Sequence, residues 1–581
     1  MLEGERSYQR GQENLVPSNN ASSAPENPIT PKAQENPWYI RHFIKLLIGF
    51  GLGGGAIALV LPWILWLHCG MSSGSSDQLR LHLLYVTGGI IAVLTLLQTN
   101  WKNQGDRLKI DADIKKNEQD AEKNERDHIR QVHAERRSRY TAAVGQLADE
   151  KAAIRLGGIY TLVGLVDEWL ADSTLSEEEQ QKEGQVIINS LCSYIRSPFP
   201  LAEKIDEYEA RKELEELKKQ DSKILSEDMS SRLEILRERF EDSAEYEEPK
   251  DITADRAQLR EEQDVRRAIF EEMSKRNSTF TKDDKGKIIN TTLGMWSDFD
   301  FNFSGAPIFF PLNNLTIEQG QFSSARFYGE ANFRSTEFIG DAYFGSAEFT
   351  GNADFGGAEF TGNAYFLHAK FTGDAYFGGT EFTGDAYFGG TEFTGNADFG
   401  GAEFTGNAYL LRAKFTRDAY FGGTEFTGNA DFRGAEFTEE AYFLRAKFTE
   451  NTDFSNAKFT RSADFLRAKF TGNADFSNTK FTGDADFSKA KFTGNTSFDG
   501  TYFEKSKPTF ADASDSARFS AQVNPQEYLF EARPESPHGF SCGEATLLNR
   551  TFVLPVGAVL YDPDSWDEEK QDYTRISEPA Q

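Results

Sequence analysis

Between residues 322 and 503 phenylalanine recurs at alternating steps of six and five. One series holds Phe322, Phe333, Phe344, Phe355 and Phe366 and runs on in steps of eleven, through Leu410, to Phe498. A second holds Phe327, Phe338, Phe349, Phe360 and Phe371 and keeps the same step to Phe503. Ala or Thr stands two residues before almost every anchor. Neither the 3.6-residue period of a helix nor the two-residue period of a flat strand accommodates this spacing. Self-similarity at a fixed short period instead marks stacked repeats that bury one continuous core.

The unit reads A-x-F-x-x followed by A-x-F-T-G-N, a five-residue block and a six-residue block. A small residue with Leu or Phe two places later resembles the pentapeptide-repeat family. That resemblance implies a right-handed quadrilateral β-solenoid with four blocks per coil. This chain departs from the family's pattern by one extra residue in every second block, as at Asn352, Asn363, Asp374 and Asp385. The expected coil is therefore about 22 residues; two inward rings on an eleven-residue coil would find no room. Because Gly followed by Asn or Asp tolerates positive φ, the insertion is expected to widen a corner. Phe344, Phe349, Phe355, Phe360, Phe366 and Phe371 are expected in the lumen.

Side chains at a 22-residue step then form columns. Arg326, Glu348, Lys370, Glu392, Lys414, Glu436 and Lys458 alternate in sign, a ladder of opposite charges at strand spacing. Another column runs Glu337, Glu359, Glu381, Glu403, Glu425 and then turns basic at Lys447, Lys469 and Lys491. A third carries Tyr343, Tyr365, Tyr387 and Tyr409, followed by Asp431, Asp453 and Asp475. The tyrosine and glutamate columns are the candidate interaction strips; a ladder serving stability alone is the other reading. Residues 341 to 410 hold ten acids and one base, and 411 to 503 hold thirteen of each. The solenoid is read as 295–510, with an N-terminal cap at 295–320. A C-terminal cap and acidic tail are read at 511–581, where 552–560 is expected to fold back over the last coil.

Residues 1–40, rich in Pro, Asn and Ser, read as a disordered tail. Two apolar runs follow, read as transmembrane helices at 41–69 and 81–100 around an extracytoplasmic loop at 70–80. Arg41 and Lys45 precede the first, and Lys102, Arg107 and Lys109 follow the second. The positive-inside rule then puts both termini and the repeats in the cytoplasm, with the chain multi-pass in a bacterial plasma membrane. A cleaved signal peptide is opposed by the long leader and the length of the first run. Gly49, Gly51 and Gly54 satisfy G-x-G-x-x-G without a strand before them, so no dinucleotide site is read there. Gly49, Gly51, Gly53 and Gly55 make small-xxx-small pairs, for packing on the second span or for a homo-oligomer.

A juxtamembrane helical stalk is read at 101–140 and a helical domain at 141–280, resembling a short HEAT-type repeat. Within it the charged stretch 203–262 reads as an exposed helical excursion, either a coiled-coil arm or a solvated helix. The segment "RYTAAVGQLADEKAAIRLGGIYTLVGLV" (139–166) is similar to one found in multidomain bacterial proteins that combine two N-terminal spans with C-terminal pentapeptide-like repeats.

A net charge of −29 argues against a nucleic-acid binder, and Cys69, Cys192 and Cys542 offer neither a disulfide framework nor a thiolate metal site. No P-loop, H-E-x-x-H or nucleophile elbow occurs. His128 and His133 read as solvated, and single carboxylates spread along a flat face do not converge on a calcium ion. The expectation is a non-enzymatic scaffold without cofactor or metal, its partners the lipid bilayer and a cytosolic protein. A DNA mimic that binds a type II topoisomerase, as some members of the resembled family do, is the alternative.

Overall fold

The computed structural model describes residues 36–220, 227–240, 246, 248–282, 288–512 and 515–581. Most of the segment read as a disordered tail lies outside them. The chain forms two compact units, 1–130 and 131–581. In the first, the short helices α1 (Trp38–Arg41) and α2 (Phe43–Ile48) lead through a π-helical turn at Gly49–Gly53 into α3 (Gly54–Cys69). Helix α4 (Ser73–Leu147) begins three residues after Gly70 and contributes to both units, so most of the expected 70–80 loop and all of the stalk are one helix. Phe43–Cys69 and α4 are long and apolar enough to cross a membrane. Their close approach is at Gly54, where a Cβ would stand 2.2 Å from Thr87 Cγ2; Gly49, Gly51, Gly53 and Gly55 have no such neighbour. The small-residue pairs therefore do not make the contact between these helices.

In the second unit α5 (Ala152–Leu170) and α6 (Glu177–Arg196) bury Ile159, Leu162, Val166, Ile188 and Leu191. Ser176 starts α6 by a reciprocal cap: its Oγ accepts from Glu179 N at 3.3 Å, and its own N donates to Glu179 Oε2 at 3.1 Å. Next come α7 (Pro200–Lys219), α8 (Glu227–Phe240) and α9 (Ile252–Ser274). The charged excursion is neither a coiled-coil arm nor a solvated helix. Leu214, Leu217, Leu233 and Leu236 of α7 and α8 bury one another. Arg239 holds Asp206 at 2.6 Å, Asp206 accepts from Gly329 N at 2.9 Å, and Glu234 binds Arg417 at 2.6 Å, so the helix pair lies along the repeats. Periodic leucines showed that a covered face existed but not what covered it.

The repeats form a parallel β-solenoid of about nine turns, with four sheets of 10, 8, 11 and 9 strands among the described residues. Glu359 pairs with Glu337 and Glu381, Lys370 with Glu348 and Glu392, and Tyr365 with Tyr343 and Tyr387, so each coil is 22 residues. We number the faces in chain order from Arg326: the first carries the alternating charges, the second Asp354 and Tyr376, the third the glutamate column and the fourth the tyrosine column.

The six expected core rings are fully buried. Phe355 stacks on Phe377 at 4.9 Å and 3°, while Phe344 meets Phe355 edge-to-face at 5.7 Å and 89°. Phe355 thus satisfies both favoured aromatic geometries. Helix α9 closes the proximal end, where Phe270 lies 4.6 Å from Phe303 and 6.3 Å from Phe322, and bundle and solenoid share one core.

The distal end runs past the expected limit at 510. Phe519 stacks on Phe492 at 4.8 Å, and the strands Arg518–Ser520, Tyr528–Leu529 and Val559–Tyr561 extend existing sheets. Phe552 and Leu554, from a hairpin formed by Cys542–Leu547 and Arg550–Pro555, are buried over them. In the expected acidic tail Trp566–Asp567 pairs with Asp572–Tyr573, and Gln581 exchanges backbone hydrogen bonds with Glu544.

The corners overturn one expectation. From Gly351 onward left-handed backbone falls not at the inserted Thr-Gly-Asn but in the F-x-x-A turn, where Phe355 C=O accepts from Ala358 N at 2.9 Å and Gly357 has φ 63°; in the first coils Gly329 and Gly340, at the insertion corner, do have φ of 66° and 75°. The glycine of the insertion serves close approach instead: a Cβ on Gly362 would stand 2.3 Å from the Gly340 carbonyl carbon. The inserted Asn or Asp satisfies backbone one coil on. Asp341 Oδ1 accepts from Asn363 N at 2.9 Å, Asn363 Oδ1 from Asp385 N at 3.0 Å, and Asp385 Oδ1 from Asn407 N at 2.8 Å. This ladder answers backbone donors that a sharp corner would otherwise orphan.

Candidate interaction faces of the solenoid

Alanine and phenylalanine point inward in each two-residue strand, so the residue beside them points out. On the third face this exposes Glu337, Glu359, Glu381 and Glu403; on the fourth, Tyr343, Tyr365, Tyr387 and Tyr409. All eight residues lie on two adjacent faces of the proximal half, separated by the Thr-Gly-Asn corner, as from Glu359 through Gly362 to Tyr365. The tyrosine rings stack at 4.9 Å and 3° for both Tyr343–Tyr365 and Tyr365–Tyr387, and at 4.9 Å and 12° for Tyr387–Tyr409.

The corner between these faces is also charged, a feature the column reading missed. Tyr343 donates its hydroxyl to Asp341 at 3.1 Å, and Tyr387 to Asp385 at 3.2 Å. Burial and the neighbouring Asp385 push the Tyr387 hydroxyl up to about 12, so it stays a donor at neutral pH. The signal was present in the sequence two residues before each tyrosine of the column, as Asp341 and Asp385 alternating with Asn363 and Asn407. The ridge thus combines a carboxylate column, corner carboxylates and a flat aromatic strip.

Charge on the other faces is arranged differently. On the first, Lys414 binds Glu392 at 3.0 Å, the internal neutralisation that the alternating ladder predicts. On the third, acid stands next to acid until Glu425 meets Lys447, where the two form an ion pair and the column turns basic.

A protein-family comparison matches residues 322–370, 366–413, 410–458 and 454–501, nine copies in all, to the model for pentapeptide repeats. Residues 322–501 are pentapeptide repeats. The match spans about a third of the chain. Neither a curated protein nor a solved structure gives a match to the chain.

Outside the pentapeptide repeats, the reading of His133 as solvated is corrected. Its Nε2 lies 2.9 Å from Asp172 Oδ2, and its ring lies 5.0 Å from that of Trp169. Burial alone would raise the Asp172 carboxyl, but bonds from Thr174, Arg136 and His133 hold it well below the usual carboxylate range. The pairing spans 39 residues of chain, and sequence spacing carries no trace of it. At the other end of α5, Glu262 joins Arg155 at 2.9 Å, Arg266 at 2.8 Å and Tyr194 at 2.9 Å. Arg266 also lies 5.1 Å from the Phe309 ring of the first coil. Arg266 thereby ties the helical bundle to the solenoid.

Proposed function

We propose that the protein is a membrane-anchored, non-enzymatic scaffold whose cytosolic pentapeptide-repeat solenoid binds a basic segment of a protein partner along the ridge between its third and fourth faces. A β-solenoid of this kind is consistent with a protein-interaction scaffold. The observation that carries the reading is the contrast in register between opposite faces: the first alternates acid and base from coil to coil, while the third sets acid beside acid next to an aromatic strip. An acidic column beside a flat aromatic strip is complementary to a cationic segment. The two apolar helices and the flanking Arg41, Lys45, Lys102 and Arg107 support insertion in a bacterial plasma membrane with both ends inside.

The test is a photo-crosslinking amino acid in place of Tyr387 in the full chain in cells, with one in place of Lys370 on the first face as control. A discrete adduct is expected from position 387 alone, and Glu359→Lys/Glu381→Lys/Glu403→Lys should abolish it. Equal adducts from both positions, or adducts indifferent to charge reversal, would overturn the reading. The acidic columns also suit the DNA-mimic alternative. An effect of the detergent-solubilised chain on topoisomerase supercoiling would favour that, against the membrane segments and the charge-balanced distal half.

A further inference from the structure

The distal end of the third face opens into a cleft of about 720 Å³ between the last coils and the C-terminal Trp566–Tyr573 hairpin. Arg467, Lys469, Lys489, Lys491 and Arg518 line it, with Asp515 and Asp572 as the acids. Five cations against two carboxylates leave an excess of three positive charges in a chain of net charge −29. Both acids are already committed, Asp515 to Lys489 and Asp572 to Arg518. Among the described residues, Arg467 and Lys469 have no acidic partner.

Strand pairing forces these charges together. Lys447 pairs with Lys469, Lys469 with Lys491, and Lys491 with Arg518, four consecutive cations at strand spacing. The Lys491 ammonium lies 4.7 Å from the Tyr561 ring and 4.3 Å from the Tyr573 ring, an aromatic setting that tolerates a cation without neutralising it. A second, independent oddity adjoins the column. At the left-handed turn position Gly357, Gly379, Gly401 and Gly423 are followed by Arg445, Arg467 and Lys489, with φ of 58°, 60° and 57°. Glycine adopts this backbone freely and a β-carbon resists it, yet three successive coils place a base there. Folding gains nothing from that choice, and charge does.

We propose that this cleft is a binding site for a phosphate-bearing anion. The three-charge excess in a small concave volume matches the charge density of one or more phosphate groups, which Arg467 and Arg518 suit by their forked donors and Lys469 by its point charge. Trp566, about half exposed at 47%, stands at the lip against whatever less polar portion the anion carries. A free polyphosphate and a lipid headgroup share this chemistry, and both fit a protein whose acidic ridge lies at the other end of the rod.

The test is calorimetric titration of the full chain in detergent with tripolyphosphate and, separately, with sn-glycerol 3-phosphate as a soluble lipid headgroup. Arg467→Gly and Lys469→Gln are the comparison variants. Arg467→Gly puts at 467 the residue that four earlier coils carry at the same turn, so its melting temperature should equal or exceed that of the native chain. Saturable binding of at least one anion is expected, weakened roughly tenfold or more in each variant. Preference for tripolyphosphate assigns a free polyphosphate, and equal affinity for the two assigns a headgroup-sized group. No saturable binding of either anion, or binding unchanged in Arg467→Gly, would overturn the proposal.

Discussion

Gly384 lies against Gly362 of the preceding coil so closely that a β-carbon on it would stand 2.4 Å from the Gly362 carbonyl oxygen. The two backbones meet there because the Thr-Gly-Asn corner packs coil on coil with no side chain between. Gly384→Ala should therefore cost about 2 kcal/mol or more, as an overpacked site with only backbone to yield. Gly379→Ala, at a left-handed turn position with open space around it, should cost only about 1 kcal/mol. Chemical denaturation of the two variants side by side checks the order.

Leu410 is the one aliphatic interruption in its column of rings and is fully buried, in the line that runs through Phe388 and Phe432. Its neighbours stack at ring spacing, Phe366 on Phe388 at 4.9 Å and Phe432 on Phe454 at 4.6 Å. Leu410→Phe should complete the stack and stabilise the solenoid by about 0.5–1.5 kcal/mol, read as a rise in melting temperature.

Burial, followed by the charges of Lys469 and Arg518 and opposed by Asp572, pushes the Lys491 ammonium down to about 8 from its ordinary 10.5. Between those values the unfolded chain binds the proton and the folded chain does not, so stability attributable to this group rises with pH and is lost as pH falls through about 8. Across pH 8 to about 9.5, where exposed tyrosines stay largely neutral, native protein should gain melting temperature relative to Lys491→Met. A constant difference between the two would contradict the shift.

Cys69 and Cys542 are both exposed thiols, and the proposed orientation would put Cys69 outside the cell and Cys542 in the cytosol. A membrane-impermeant maleimide applied to intact cells should label Cys69 and spare Cys542, and lysis should open Cys542. Labelling of Cys542 in intact cells would reverse the proposed orientation.

Glu262 bridges two guanidinium groups, and the side chain of Arg266 is only 2% exposed. Glu262→Gln should destabilise the bundle by about 3 to 5 kcal/mol, because it leaves buried charge uncompensated. A thermal melt followed by circular dichroism measures this.

What could be read from residues alone followed directly from the repeat. Once Phe355 and Phe377 are known to sit one coil apart, every outward residue falls into a column, and both the tyrosine strip and the acid-to-base turn at Glu425 and Lys447 follow. Gly362 and Gly357 look alike in sequence, yet one is required by close approach and the other by positive φ; only the backbone separates them. The left-handed position was further hidden because Ser346, His368 and Arg412 occupy its counterpart on the opposite corner. The distal coils escaped because Phe519 and Leu560 continue the third sheet across insertions that break the eleven-residue step. His133 and Asp172 meet only through the packing of two helices, which no local spacing encodes.

The acidic ridge and the basic cleft both depend on the same winding, and in-register cross-linking tests it most directly. Glu381 and Glu403 stand on neighbouring strands, whereas Glu381 and Glu392 stand on opposite faces. In the full chain, Glu381→Cys/Glu403→Cys should form an intramolecular disulfide under mild oxidation, and Glu381→Cys/Glu392→Cys should not. Bridging of the second pair with failure of the first would contradict a 22-residue coil and the columns built on it.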